Sequence, residues 1–113
     1  FAMAEAFENG EPWLDQAVEA NRESRDYLLR QVANKLPGVK TWLPKGGYLA
    51  WLDVSPLKIG ENPALRIIAE QKVAFVPGED HGPAYAQYVR INFACSKQDI
   101  DASVDALASY LNA

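Results

Sequence analysis

The chain has 113 residues, of which 49% are hydrophobic and 23% charged, enough for one globular domain with a core of its own. That composition excludes disorder, collagen and coiled coil as descriptions of the whole chain. Eleven Lys and Arg against fifteen Asp and Glu leave a net charge of −4, so no basic patch is present to draw nucleic acid or an anionic membrane surface. No apolar run approaches the ~18 residues of a membrane span. The lone cysteine, Cys95, allows no internal disulfide and suits a reducing, cytoplasmic setting.

Phe1 to Phe7 reads as the tail of a helix, which suggests a segment of something longer; it is not a signal peptide. Turn signals at Asn9-Gly10 and Pro37-Gly38 bracket one long helix from Pro12 to Leu36. Its apolar face is Leu14, Val18, Leu28, Val32 and Leu36, with a polar middle where Arg22 and Asp26 can pair one turn apart. Thr41 to Leu43 is a short strand, and Tyr48 to Val54 a stronger one. A short helix follows over Asn62 to Gln71, with Leu65, Ile68 and Ala69 on its inner face. Val73 to Val76 reads as a buried strand and Tyr88 to Ala94 as an alternating one. The last helix, from Lys97 to Leu111, has Ser96 as N-cap with Asp99 three residues on. Ile100, Val104, Leu107, Ala108 and Leu111 form its apolar face. This order predicts an α+β fold of two layers, a small sheet with helices packed against it.

Few residues carry chemistry. In the strand from Tyr88 to Phe93, alternation puts Val89, Ile91 and Phe93 on one face and Tyr88, Arg90 and Asn92 on the other. Arg90 is either an anchor for a carboxylate, whose geometry its planar donors match, or an arginine on a solvated face. The loop Pro77 to Pro83 holds His81, the only histidine, which reads as a solvated loop residue. Glu79, Asp80 and His81 are adjacent, and consecutive residues rarely converge on one metal, so no metal site is expected. Cys95 lacks a base with an orienting partner and reads as a small packed residue. Lys45-Gly46-Gly47 is a tight turn without the spacing of a phosphate loop. Trp13, Trp42 and Trp51 are core or interface anchors, and a domain this small leaves at least one for an interface.

Three segments together carry a resemblance: Gly10 to Asp15; Pro44 to Asp53, with its Gly-Gly-Tyr-Leu-Ala-Trp-Leu-Asp run; and Val76-Pro77-Gly78 with His81-Gly82-Pro83 leading to Tyr88 through Ala94. In this order they resemble the C-terminal small domain of fold-type I pyridoxal-phosphate enzymes, class I/II aminotransferases, closest to the cystathionine β-lyase-like C–S lyases. The resemblance implies that residues 1–113 are one such domain, with 1–10 a remnant of the connection from a large domain. It implies that Arg90 grips the substrate α-carboxylate, and that Gly47 and Tyr48 belong to a turn approaching the active-site cleft. It also implies pyridoxal 5′-phosphate as cofactor, held by the large domain and not by this chain. In the family the Schiff-base lysine and the phosphate-binding residues belong to the large domain, so none of Lys35, Lys40, Lys45, Lys58, Lys72 and Lys97 is expected to hold the cofactor, although Ser55-Pro56-Leu57-Lys58 has the family's Ser/Thr-x-x-Lys spacing. No catalytic or cofactor-binding residue is expected here, and the chain alone is expected to be inactive. His81 departs from the family pattern, which has a Phe at that place.

The expected function is that of a domain in a homodimeric lyase cleaving a sulfur-containing amino acid by β-elimination. An aminotransferase is the near alternative. A stand-alone, non-catalytic amino-acid-binding module, or an interaction domain anchored by tryptophans, is the alternative of a different class.

Overall fold

The structure is a computed structural model, and it describes residues 8–44 and 47–111. The helical reading of Phe1 to Phe7 and the turn residues Lys45 and Gly46 lie outside them. The elements run α1 (Glu11–Lys35), β1 (Lys40–Thr41), β2 (Leu49–Asp53), α2 (Pro63–Gln71), β3 (Val76–Pro77), β4 (Tyr88–Asn92) and α3 (Lys97–Ala108). Short 3-10 helices occupy Ser55–Leu57, Gly78–His81 and Pro83–Tyr85. The sheet is antiparallel throughout, in the order β1-β2-β4-β3. No helix among the described residues is long and apolar enough to cross a membrane.

Helices α1, α2 and α3 cover one face of this sheet, which is the predicted two-layer α+β arrangement. Ala50 and Leu52 of β2 and Val89 and Ile91 of β4 point into the core. They meet Leu28, Val32 and Leu36 at the end of α1, Ala64 and Ile67 of α2, and Ile100, Val104 and Leu107 of α3. Polar ties fix α1 against α3: the Tyr27 hydroxyl donates to Asp101 at 2.6 Å, and Lys35 meets Asp105 at 2.9 Å. The Ser96 hydroxyl caps α3 by accepting from the Asp99 N–H at 3.1 Å, as its position predicts.

Several expectations are corrected. Only the C-terminal half of the α1 stripe is buried; Leu14 and Val18 are 53% and 46% exposed, because nothing packs against them among the described residues. Arg22 pairs with Glu19 at 2.7 Å and Asp26 with Arg25 at 2.9 Å, so the Arg22–Asp26 pair does not form. The buried row of α2 is Ala64 and Ile67, while Leu65 and Ile68 are exposed. This short helix has two adjacent apolar rows, and the polar row beside them chooses. Arg66 donates to the Ile59 carbonyl and Glu70 accepts from the Tyr110 hydroxyl, which rolls Ile67 inward. The Val73-to-Val76 strand shortens to Val76–Pro77, because Lys72 turns the chain through φ 60° and Pro77 has no N–H to extend a ladder. On α3, Leu111 is 38% exposed and Ala106 takes its place in the core.

Candidate functional site

Alternation along β4 gives Arg90 its position. Its neighbours Val89 and Ile91 are committed to the core, so the guanidinium emerges on the face without helices. β4 lies between β2 and β3, and the register places Trp51 on one side of Arg90 and Val76 on the other. A charged side chain in mid-sheet is usually a liability; here its surroundings are aromatic. The Trp51 indole meets Tyr85 at 5.5 Å and Tyr88 at 6.0 Å between ring centroids, and Trp42 stacks on Tyr88. Trp42, Leu49, Trp51, Tyr85 and Tyr88 wall an apolar cavity of about 560 Å³, which Arg90 does not line; its cross-strand partner Trp51 does.

The connection from β3 to β4 folds back toward this face. Its two 3-10 helices bring His81 and Tyr85 onto Trp51. The close approach requires glycine at 78: a Cβ there would sit 2.3 Å from the Tyr85 carbonyl oxygen and 2.6 Å from that of Tyr88. His81, although exposed, is not merely solvated. Its Nε2 is 3.3 Å from Arg90 Nη1, and its ring meets Trp51 edge-on at 5.0 Å. Arg90 Nε is buried and has no hydrogen-bond partner. A buried, unpartnered donor on a permanent cation is costly to leave unmade and marks where an acceptor belongs.

Gly47 and Tyr48 lie elsewhere along β2. Leu49 is paired with Asn92, and the Tyr48 carbonyl accepts from the Phe93 N–H at 2.9 Å. Gly47, at φ 70°, borders a second hollow with Arg25, Pro44 and Phe93. At about 3.3 Å per residue, it stands some four residues, roughly 13 Å, along the strand from Trp51. None of the described contacts joins Gly47 or Tyr48 to Arg90. Trp51, Tyr85 and His81 are the neighbours that sequence reasoning missed. Trp51 becomes visible only with the β2–β4 register; the signal for His81 was its departure from an aromatic residue in the resemblance.

Other candidates have structural explanations. Cys95 Sγ contacts the Asn92 carbonyl at 3.6 Å, and burial, then the Asp99 carboxylate, push its thiol pKa up, away from the nucleophilic thiolate. Among the described residues no group of three His, Cys, Asp or Glu comes together to hold a metal.

The donor set fits one end of an amino acid. A guanidinium with an unpaired N–H suits a carboxylate, and the ring-walled hollow suits an apolar body. Among the described residues no lysine lines the cavity, so these offer no covalent anchor for a pyridoxal cofactor.

The relatives bear on this geometry. No family model matches the chain. It is 31% identical over 109 residues to Protein MalY of Escherichia coli, covering 96% of this chain and 28% of that protein. It is 33% identical over 110 residues to a cystathionine beta-lyase of Corynebacterium glutamicum, covering 97% of the chain and 29% of the relative. The solved PLP-bound C-S lyase of Staphylococcus hominis superposes with a TM-score of 0.85 at 25% identity, over 94% of this chain and 29% of that one. Aminotransferases are also among the relatives. The chain is similar to pyridoxal-phosphate-dependent aminotransferases and C–S lyases in sequence and in fold, and spans little more than a quarter of the relatives it matches.

Proposed function

We propose that this chain is the C-terminal small domain of a pyridoxal-phosphate-dependent C–S lyase, joined through residues 1–10 to a large domain, and that Arg90 clamps the α-carboxylate of a sulfur-containing amino acid. The observation that carries the reading is the Arg90 guanidinium itself. It stands in mid-sheet on the face without helices, beside Trp51, with a buried Nε that lacks a partner.

Two parallel N–H···O bonds from one guanidinium edge hold a carboxylate in a plane and fix the rotation of the attached Cα. That orientation is worth much of the barrier in a reaction where one bond at Cα must be aligned. The rings of Trp51, Tyr85 and Tyr88 thin the water beside the ion pair, which strengthens it. When bound, the cofactor supplies an electron sink for the bond broken at Cα. The groups that hold it belong to polypeptide outside this chain, as does the base. In the β-elimination the Cα proton leaves to that base, a Cα–Cβ double bond forms, and the sulfur departs with the Cβ–S bonding pair. The homodimeric, cytoplasmic character of the whole protein is part of the same proposal.

Arg90→Ala in the full-length protein tests the reading. A clamp that loses its charged partner costs about 2–5 kcal/mol, so kcat/KM for amino-acid substrates falls roughly 30- to 5000-fold. An unchanged kcat/KM removes the clamp. Likeness to aminotransferases supports amino transfer as the second reading. Thiol release without an added keto acid favours elimination; turnover that needs a keto acid favours transfer.

A further inference from the structure

His81 closes the 3-10 helix Gly78–His81, and Gly82, at φ 132°, turns the chain immediately after it. The start of that helix is fixed against the backbone of Tyr85 and Tyr88 by the tight fit at Gly78. The imidazole therefore reaches β4 from a fixed point. It touches two side chains that are themselves partners across the sheet: Trp51 edge-on at 5.0 Å, and Arg90 at 3.3 Å through Nε2.

An arginine has donors only. The short contact between Arg90 Nη1 and His81 Nε2 is a hydrogen bond when Nε2 carries its lone pair, that is, when the ring is neutral and protonated on Nδ1. We propose that His81 is a positioning residue for Arg90: its Nε2 accepts from Nη1 and so presents the opposite guanidinium edge, Nε with Nη2, to a carboxylate. This rests on Arg90 being the carboxylate clamp.

The geometry is economical in its choices. A guanidinium offers two edges for bidentate pairing, one formed by Nη1 with Nη2 and the other by Nη2 with Nε. The bond to His81 engages Nη1, a member of the first edge. The second contains Nε, the one buried side-chain polar atom among the described residues that has no partner. A carboxylate that reaches Nε satisfies the orphan and completes the donor set. Trp51 packs edge-on against the ring. An aromatic residue without a ring nitrogen at 81 keeps that packing and accepts nothing, leaving the guanidinium to rotate about its last torsions.

The test uses the full-length, cofactor-loaded protein with Arg90→Ala, His81→Phe and His81→Gln. Losing one hydrogen bond to a charged group lowers kcat/KM about tenfold in His81→Phe, most of it as a rise in KM, because Arg90 and its charge remain. His81→Gln, whose amide oxygen accepts in place of Nε2, stays near the parent KM. Independently of turnover, the ring 15N resonances that vanish in His81→Gln identify this imidazole. At neutral pH they show a proton on Nδ1 and an acceptor Nε2, and Arg90→Ala shifts the Nε2 signal. A large rise in KM for Arg90→Ala with parental KM in both His81 variants overturns the positioning role and leaves the clamp standing. A ring protonated on Nε2 at neutral pH overturns it as well. Parental kcat/KM in Arg90→Ala overturns the clamp and the positioning role together.

Discussion

Ionic side chains link one segment of this domain to another. Arg90 is one; Glu70 is another. Its carboxylate accepts from Arg66 Nε at 2.8 Å and from the Tyr110 hydroxyl at 2.8 Å, joining α2 to the end of the chain. Arg66, then Tyr110, hold its pKa below the ordinary carboxylate value of 4.5. The sign follows from linkage. A carboxyl with a lower pKa in the folded state favours folding above its ordinary value, and that contribution disappears as pH falls through the folded-state value. Glu70→Gln is therefore expected to lower the urea midpoint at neutral pH, and parent and variant are expected to converge well below pH 4.5. A gap that persists in acid counts against the linkage. The same exposed setting keeps the effect modest, since solvent screens the pair.

Elements in this domain are chosen by packing more than by periodicity. α2 carries Ala64 and Ile67 on one row and Leu65 and Ile68 on the next. The hydrophobic pattern alone favours the second row; the structure buries the first, with Ile67 0% and Ile68 45% exposed. Ile67→Ala is expected to destabilise by about 2–5 kcal/mol, the usual range for emptying a core site. Ile68→Ala stays within about 0.5 kcal/mol, as an exposed substitution does. Chemical denaturation separates the two, and equal costs would return the helix to the other face. β3 teaches the same lesson. Its apolar run is continuous, yet only Val76 and Pro77 join the ladder, because the left-handed Lys72 and the imino acid at 77 limit the strand from both sides.

The whole molecule has one finished side and one unfinished side. The helical layer buries a continuous core, whereas Trp13 is 71% and Trp42 54% exposed, on α1 and next to β1. Indoles left this open belong at interfaces. If the domain assignment proposed above holds, the large domain covers at least one of them. Acrylamide then quenches Trp13 and Trp42 strongly in the 113-residue chain and weakly in the full-length protein, as single-tryptophan variants of both would report. Equal quenching in the two contexts argues against a large-domain partner for these surfaces.

The linear sequence was sufficient for whatever depends on local spacing. The two-layer α+β class, the long helix, the Ser96 cap and the outward placement of Arg90 all follow from period, capping chemistry and alternation, which neighbours in the chain impose directly. The resemblance to pyridoxal-phosphate enzymes was likewise carried by short runs of residues. What remained hidden depends on which distant segments meet. Trp51 stands across from Arg90 because β4 inserts between β2 and β3, and His81 reaches the guanidinium because a turn seated on Gly78 folds back toward the sheet. Register and loop path are decided by the summed packing of the core, so no single stretch of sequence contains them.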